Sequence, residues 1–263
     1  MSVSPHIESS SPHFEGDASA QPPFGLIDSL RSIAVWSVGV PHLLAWVGCV
    51  VGVSKISDTR HVDKALKLMA RAVPFFAGIR VDVRHRERID PAGTYVYVTN
   101  HVNIFDMFAI YQAIPGYTRS LELVDHFSWP IFGPFITAIG QIPVDPKDKR
   151  VTARGLKKAT EMLQAGDSLV VLPEGQRTLD GTVGPFFPGA FRLAVAAEVP
   201  IVPMAIHGGR TVSRRGDWRV RPGKMSVIIG DPISTKGLTL ADVPTLGENS
   251  RQAILSLLRN PKA

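Results

Sequence analysis

The apolar pattern of this chain changes character several times, and each change marks a different kind of segment. Residues 1–23 are rich in Ser, Pro and His and show no apolar period. Such a stretch buries too little apolar surface to offset its ordering entropy and is read as a disordered tail. It is not a signal peptide, because no basic segment stands directly ahead of an apolar core. From Ile33 to Val53 no residue carries a formal charge, and Arg31 and Lys55 bracket the run. Coiled as a helix it spans about 31 Å, one hydrocarbon thickness. A buried core helix, a spanning helix and a bent re-entrant or interfacial hairpin all satisfy that length. Pro41 and His42 favour the bent form, since proline kinks a helix and a polar ring is costly at mid-bilayer. Residues 24–62 are therefore taken as a membrane-associated helical segment, and 63–263 as the folded domain.

Within that domain Asp63–Phe76 has helical spacing, with Ala65, Leu66, Leu68, Met69, Val73 and Phe76 close to one face. Four strands are then legible. Residues 95–100 alternate, 168–172 form a short apolar run ending at Pro173, and 201–206 and 225–229 are two more apolar runs. Between the first two lies an amphipathic helix over 150–164, with Val151, Leu156, Ala159, Met162 and Leu163 inward and Arg154, Lys157 and Lys158 outward. Apolar strands separated by amphipathic helices predict an α/β domain, a mixed sheet flanked by helices. No internal repeat is present.

Composition narrows the classes. Of 263 residues 44% are hydrophobic, too few for a multi-span transporter. The net charge of +6 suits an anionic membrane surface, an acidic carrier or a phosphate-bearing substrate. Nucleic acid is not expected, because no nucleic-acid-binding motif accompanies the charge. The single cysteine, Cys49, allows no intrachain disulfide and lies in the apolar run, where a thiol is inert. No metal is expected either: there is no H-E-x-x-H, cysteine cluster or carboxylate-rich loop.

The chemistry lies where strands end. The first strand runs into Asn100-His101-Val-Asn-Ile-Phe-Asp106. Positions five apart diverge on a continuous helix, so His101 and Asp106 meet only if the histidine is in a turn and a helix starts behind it. With Asn103 as N-cap, Asp106 stands at N3, where the helix dipole favours its ionised form. It then holds one imidazole nitrogen and leaves the other free to take a proton. His85 and Asp90 repeat the spacing, but in a strongly charged stretch that no apolar strand feeds. The second strand ends in Pro173-Glu-Gly-Gln-Arg177. Its Glu-Gly pair makes a tight turn, and Arg177 brings a planar fork suited to phosphate or carboxylate. Two polar clusters at the carboxyl ends of successive strands occupy the edge where open α/β sheets bind ligands.

These residues resemble the lysophosphatidic acid (1-acylglycerol-3-phosphate) acyltransferase family of the glycerolphosphate acyltransferase superfamily. Four blocks stand in the family order: Asn100-His101-x4-Asp106, Gly140-Gln-Ile142-Pro-Val-Asp145, Pro173-Glu-Gly-Gln-Arg177 and Val199-Pro-Ile-Val-Pro203-Met204. The resemblance runs from Asp63 to Leu258 and implies an acyltransferase domain on a membrane anchor, placed at the cytoplasmic face. It implies that His101 is the general base and Asp106 its orienting partner. It further implies that Asn100, Gly140, Ile142, Glu174, Gly175, Arg177 and Pro203 belong to the substrate-binding blocks. The acceptor would be a lysophospholipid and the co-substrate acyl-coenzyme A or acyl carrier protein, with no cofactor. The chain departs from the family at three places. Pro146 stands where an arginine is usual, with Lys147, Lys149 and Arg150 close behind as substitutes. Gln176 replaces a threonine, and Phe187 replaces the lysine of a later F-K-x-G element. Two cations expected near an acceptor phosphate are thus missing from their usual places. The competing readings are a lipid or thioester hydrolase, in which the same base activates water, and a non-catalytic lipid-binding protein.

Overall fold

The computed structural model of the chain describes residues 23–57, 59–145 and 147–261; the tail expected before Pro23 lies outside these. In chain order the helices are α1 (Leu26–Ile56), α2 (Thr59–Phe76), α3 (Asp106–Ala113), α4 (Phe132–Ala138), α5 (Lys149–Gln164), α6 (Gly189–Ala197), α7 (Gly209–Val212) and α8 (Val243–Arg259). The strands are β1 (Ile79–Arg84), β2 (Val96–Thr99), β3 (Thr118–Leu123), β4 (Ile142–Val144), β5 (Ser168–Val171), β6 (Ile201–His207) and β7 (Gly223–Ile229). They form one sheet in the order β1-β7-β6-β2-β5-β3-β4. Strands β2 to β6 run in one direction; β7 pairs antiparallel with β6, and β1 pairs parallel with β7. The sheet is therefore mixed, as the pattern predicted.

Strand alternation sorts side chains to two faces. Val96 and Val98 of β2, Leu169 of β5 and Ile201 and Ala205 of β6 join one apolar layer with α5, α6 and α8. Tyr95, Tyr97, Val170, Val202, Met204 and Ile206 join the other, beneath α3. The helix expected over 150–164 is α5, begun by Asp148, whose side chain accepts the N–H groups of Arg150 and Val151. Three strands lack a clear apolar signal: β1 alternates but is interleaved with charge, β3 carries Arg119 and Glu122, and β4 is a three-residue edge strand containing Pro143.

The long apolar segment is one continuous helix, with Pro41 inside it, and not the bent hairpin favoured from Pro41 and His42. The polar ring is accommodated locally: His42 Nε2 accepts the Trp46 indole N–H at 3.0 Å, and the ring packs 4.2 Å from that of Phe76. Nor is α1 a core helix, since only 6% of its most apolar stretch is buried. Its inner side rests on α2 through Leu43, Trp46 and Val50 against Val62, Leu66 and Met69. Leu26, Leu30, Ile33, Val38 and Leu44 are exposed. The boundary expected between 62 and 63 falls inside α2, which begins at Thr59.

Candidate active site

At the end of β2 the chain is pinned before it turns. The Asn100 side-chain amide donates to the Ile206 carbonyl at 3.0 Å and accepts the Ile206 N–H at 2.8 Å, extending the pairing with β6 beyond the strand. The turn over 101–105 is held by Asn103, whose oxygen accepts the Phe105 N–H at 2.7 Å and whose amide donates to Gly209 at 2.7 Å. That local bond changes the expected geometry. Asn103 closes a turn two residues on instead of capping the helix, so α3 starts at Asp106 and the carboxylate is its first residue, not its third.

The meeting of base and carboxylate is nonetheless made. His101 Nδ1 lies 2.8 Å from Asp106 Oδ2, which also accepts the N–H groups of Val102 at 2.6 Å and Asn103 at 2.9 Å. Asp106 is fully buried and the His101 side chain is 23% exposed. A buried carboxylate oxygen that already accepts two backbone N–H groups accepts the ring Nδ1–H as well, which fixes the tautomer and the orientation of the imidazole. Nε2, the other ring nitrogen, is the one left for chemistry.

Neighbouring β5 supplies the brace. Glu174 follows it by three residues, and its two oxygens accept the His101 N–H and the Gly184 N–H, each at 2.9 Å. Thr178 N–H donates to the His101 carbonyl at 2.8 Å. Both backbone groups of the histidine are thus tied to one loop, 173–178. Burial raises the Glu174 carboxyl above its ordinary 4.5, and the Gly184 and His101 N–H groups pull against that rise. Gly175 gives the loop its bend: φ is +71°, and a Cβ there would meet the Phe187 ring at 2.9 Å.

The remaining expected site residues divide. Arg177 is half-buried beside the brace, and its guanidinium makes no hydrogen bond or ion pair among the described residues. Lys149 and Arg150 are exposed after β4, on the same sheet edge as His101. The strand they follow, β4, is three sheet positions from β2, about 14 Å by strand spacing. Gly140 and Ile142 are not brought to the histidine. Gly140 (φ +69°) stands before β4, at the opposite edge, and Ile142 is fully buried in the core. Pro203 is buried in β6, where its carbonyl accepts the Gly230 N–H at 2.8 Å. Asn100, Gly140, Ile142 and Pro203 therefore shape the scaffold. The His85 copy is fed by a strand after all, β1, contrary to the expectation. But β1 runs against β2, which puts His85 at the far edge, and its Nδ1 lies 3.4 Å from Glu87, not at Asp90. Among the described residues no group of three His, Cys, Asp or Glu side chains could hold a metal. The roles of Glu174 and Thr178 toward the histidine backbone leave no signal in the sequence, since the partners are 73 and 77 residues away along the chain.

A strand-end histidine oriented by a buried carboxylate, on a mixed α/β sheet, is an arrangement suited to acid–base chemistry. The family model described as Acyltransferase matches residues 80–207, which include both His101 and Arg177. The human 1-acyl-sn-glycerol-3-phosphate acyltransferase alpha is 32% identical over 197 residues, covering 74% of this chain and 70% of that protein. The human beta form is 31% identical over 193 residues, covering 70% and 66%. The fold is that of the Thermotoga maritima 1-acyl-sn-glycerophosphate (LPA) acyltransferase PlsC, whose crystal structure superposes with a TM-score of 0.75 at 21% identity, over 90% of this chain and 98% of that one. The chain belongs to the 1-acyl-sn-glycerol-3-phosphate acyltransferase family.

Proposed function

We propose that the protein transfers a fatty acyl group from an acyl thioester to the free hydroxyl of a lysophospholipid of the 1-acylglycerol-3-phosphate type, a step of phospholipid biosynthesis. The observation that carries this reading is the 2.8 Å contact between His101 Nδ1 and buried Asp106. Nε2 of His101 takes the proton of the acceptor hydroxyl as its oxygen attacks the thioester carbonyl carbon. The carbon–sulfur bond breaks, and the imidazolium returns its proton to the departing thiolate, giving an ester and a free thiol. Asp106 orients the ring and stabilises its cation, and Glu174 and Thr178 hold the histidine backbone in place. Arg177 meets the acceptor phosphate. The donor is a thioester of coenzyme A or acyl carrier protein, and the exposed cations Lys147, Lys149, Arg150, Arg154, Lys157 and Lys158 suit either anionic carrier.

The reaction takes place at the cytoplasmic face of a membrane, to which α1 offers its exposed leucines and isoleucines. The test is acyl transfer from labelled acyl-coenzyme A, and from acyl carrier protein, with detergent-purified protein and a panel of lyso-lipids. Label in the diacyl phospholipid, with initial rates that intersect as a ternary complex requires, is the expected result. Label released as free fatty acid at a rate indifferent to acceptor would make the protein a hydrolase, and no turnover at all a lipid-binding protein.

A further inference from the structure

The connection from β6 to β7 touches the turn of the base through Gly209, and it also rests on the loop that braces the histidine. Beyond α7 it carries Arg214 and Arg215. Arg215 Nη1 donates to the Arg177 carbonyl at 2.7 Å and to the Gln176 side-chain oxygen at 3.2 Å. Arg210, within α7, donates to the carbonyl of Leu179, just past that loop. All these acceptors are neutral. Among the described residues no carboxylate lies within ion-pair distance of Arg177, Arg214 or Arg215, and Nε and Nη2 of Arg215 make no hydrogen bond. The Arg215 guanidinium is thus anchored at the backbone of Arg177, next in sequence to the residue that bonds the His101 carbonyl, and neither arginine has a counter-charge among the described residues. Such a concentration of positive charge is satisfied by an anion, and a planar fork with two free donors matches a phosphate.

The departures of this chain fall at the same place. Gln176, which stands where the family block has a threonine, is the side chain that receives Arg215. Phe187, which stands where the family has a lysine, packs its ring over Gly175 instead. We propose that Arg215 is the second cation of the acceptor site: with Arg177 it binds the phosphate monoester of the acceptor and so sets the preference for a lysophosphatidic-acid-type headgroup. This rests on the acyl-transfer reading above.

The test is a kinetic comparison of Arg215→Gln and Arg215→Lys with the wild type, on lysophosphatidic acid and on lysophosphatidylcholine, which lacks the monoester. Arg215→Gln is expected to raise KM for lysophosphatidic acid about ten- to hundredfold, the scale of one charge-assisted hydrogen bond. KM for acyl-coenzyme A and for lysophosphatidylcholine stays where it was, and kcat changes far less. Arg215→Lys, which keeps the charge without the fork, recovers part of the loss. An equal loss on both acceptors, or a fall in kcat alone, would reduce Arg215 to a brace of the 176–178 loop and overturn the proposal. Equilibrium binding of labelled lysophosphatidic acid without donor separates the two readings. Should the wild type transfer to no acceptor, the acyl-transfer reading fails; binding weakened in Arg215→Gln would still support the site, and unchanged binding would remove it.

Discussion

At the scale of single residues the site is a histidine held on three sides. Asp106 takes Nδ1, Glu174 takes the backbone N–H and Thr178 reaches the carbonyl, so the ring's position is set by two sheet-edge loops and not by its own rotamer alone. Glu174 carries a cost for this service, because burial raises its pKa above 4.5. A carboxyl whose folded pKa lies above its unfolded one binds its proton more tightly in the fold. Its contribution to stability is therefore fully present below 4.5 and is lost as pH rises through the raised folded value. Glu174→Gln has no such slope. Urea midpoints measured across that window are expected to show the wild type losing ground to the variant as pH rises, then a constant difference above it. A wild type that gains on the variant over the same window would mean that the two N–H bonds outweigh burial. The motif residues were legible in the sequence because His101 and Asp106 are close along the chain and flank a recognisable strand end. Glu174 was legible as part of a block but not as a brace, and Arg215 was not legible at all: its contact with Gln176 joins positions 39 apart that only the fold brings together.

Among the elements, those with an unbroken period were readable and those on the margins of the sheet were not. Strands β2, β5, β6 and β7 are apolar on both faces because helices cover both, which is the pattern that sequence reveals most clearly. β4 has three residues and a proline, and β1 alternates apolar with charged residues at an edge, so neither stands out. Helix α1 is legible as an apolar run, but the choice between helix and hairpin is not, because the partner of His42 is Trp46, one turn along the same helix. Its amino-terminal half is fastened to the β6–β7 connection. Asp28 pairs with Arg221 through two bonds of 2.9 and 2.6 Å, buried Ser32 accepts the Val220 N–H at 2.8 Å, and Trp36 donates to the Trp218 carbonyl at 2.7 Å. The Phe24 ring sits 4.5–5.1 Å from the guanidiniums of Arg214, Arg219 and Arg221. The face opposite these anchors carries Leu26, Leu30 and Ile33, 75%, 61% and 55% exposed. Each gains about 1.5–3 kcal/mol on leaving water. Replacing all three by glutamate is expected to leave the fold intact and move the protein from the vesicle pellet to the supernatant in a co-sedimentation assay. Unchanged pelleting would put the membrane contact elsewhere on the molecule.

For the whole molecule, the fold joins an exposed apolar helix and the His101 site on one body. The apolar helices form one flank, and the parallel strand ends gather His101, Glu174 and Arg177 at one edge. The β6–β7 connection touches both, bonding α1 through Val220 and Trp218 and the 173–178 loop through Arg215. On the proposed reading, this is where a lipid acceptor drawn from a bilayer and a water-soluble thioester meet at one base. The claim on which all of this depends is that His101 takes the proton of the acceptor hydroxyl. It is tested most directly by measuring acyl transfer to lysophosphatidic acid with His101→Ala beside the wild type, each shown by circular dichroism to be folded. Loss of a positioned general base lowers kcat by about a hundred- to ten-thousandfold, with acceptor and donor still bound. That is the expected result. Transfer that continues in His101→Ala at the wild-type rate would mean that another group removes the proton, and the assignment of His101 and Asp106 would fall.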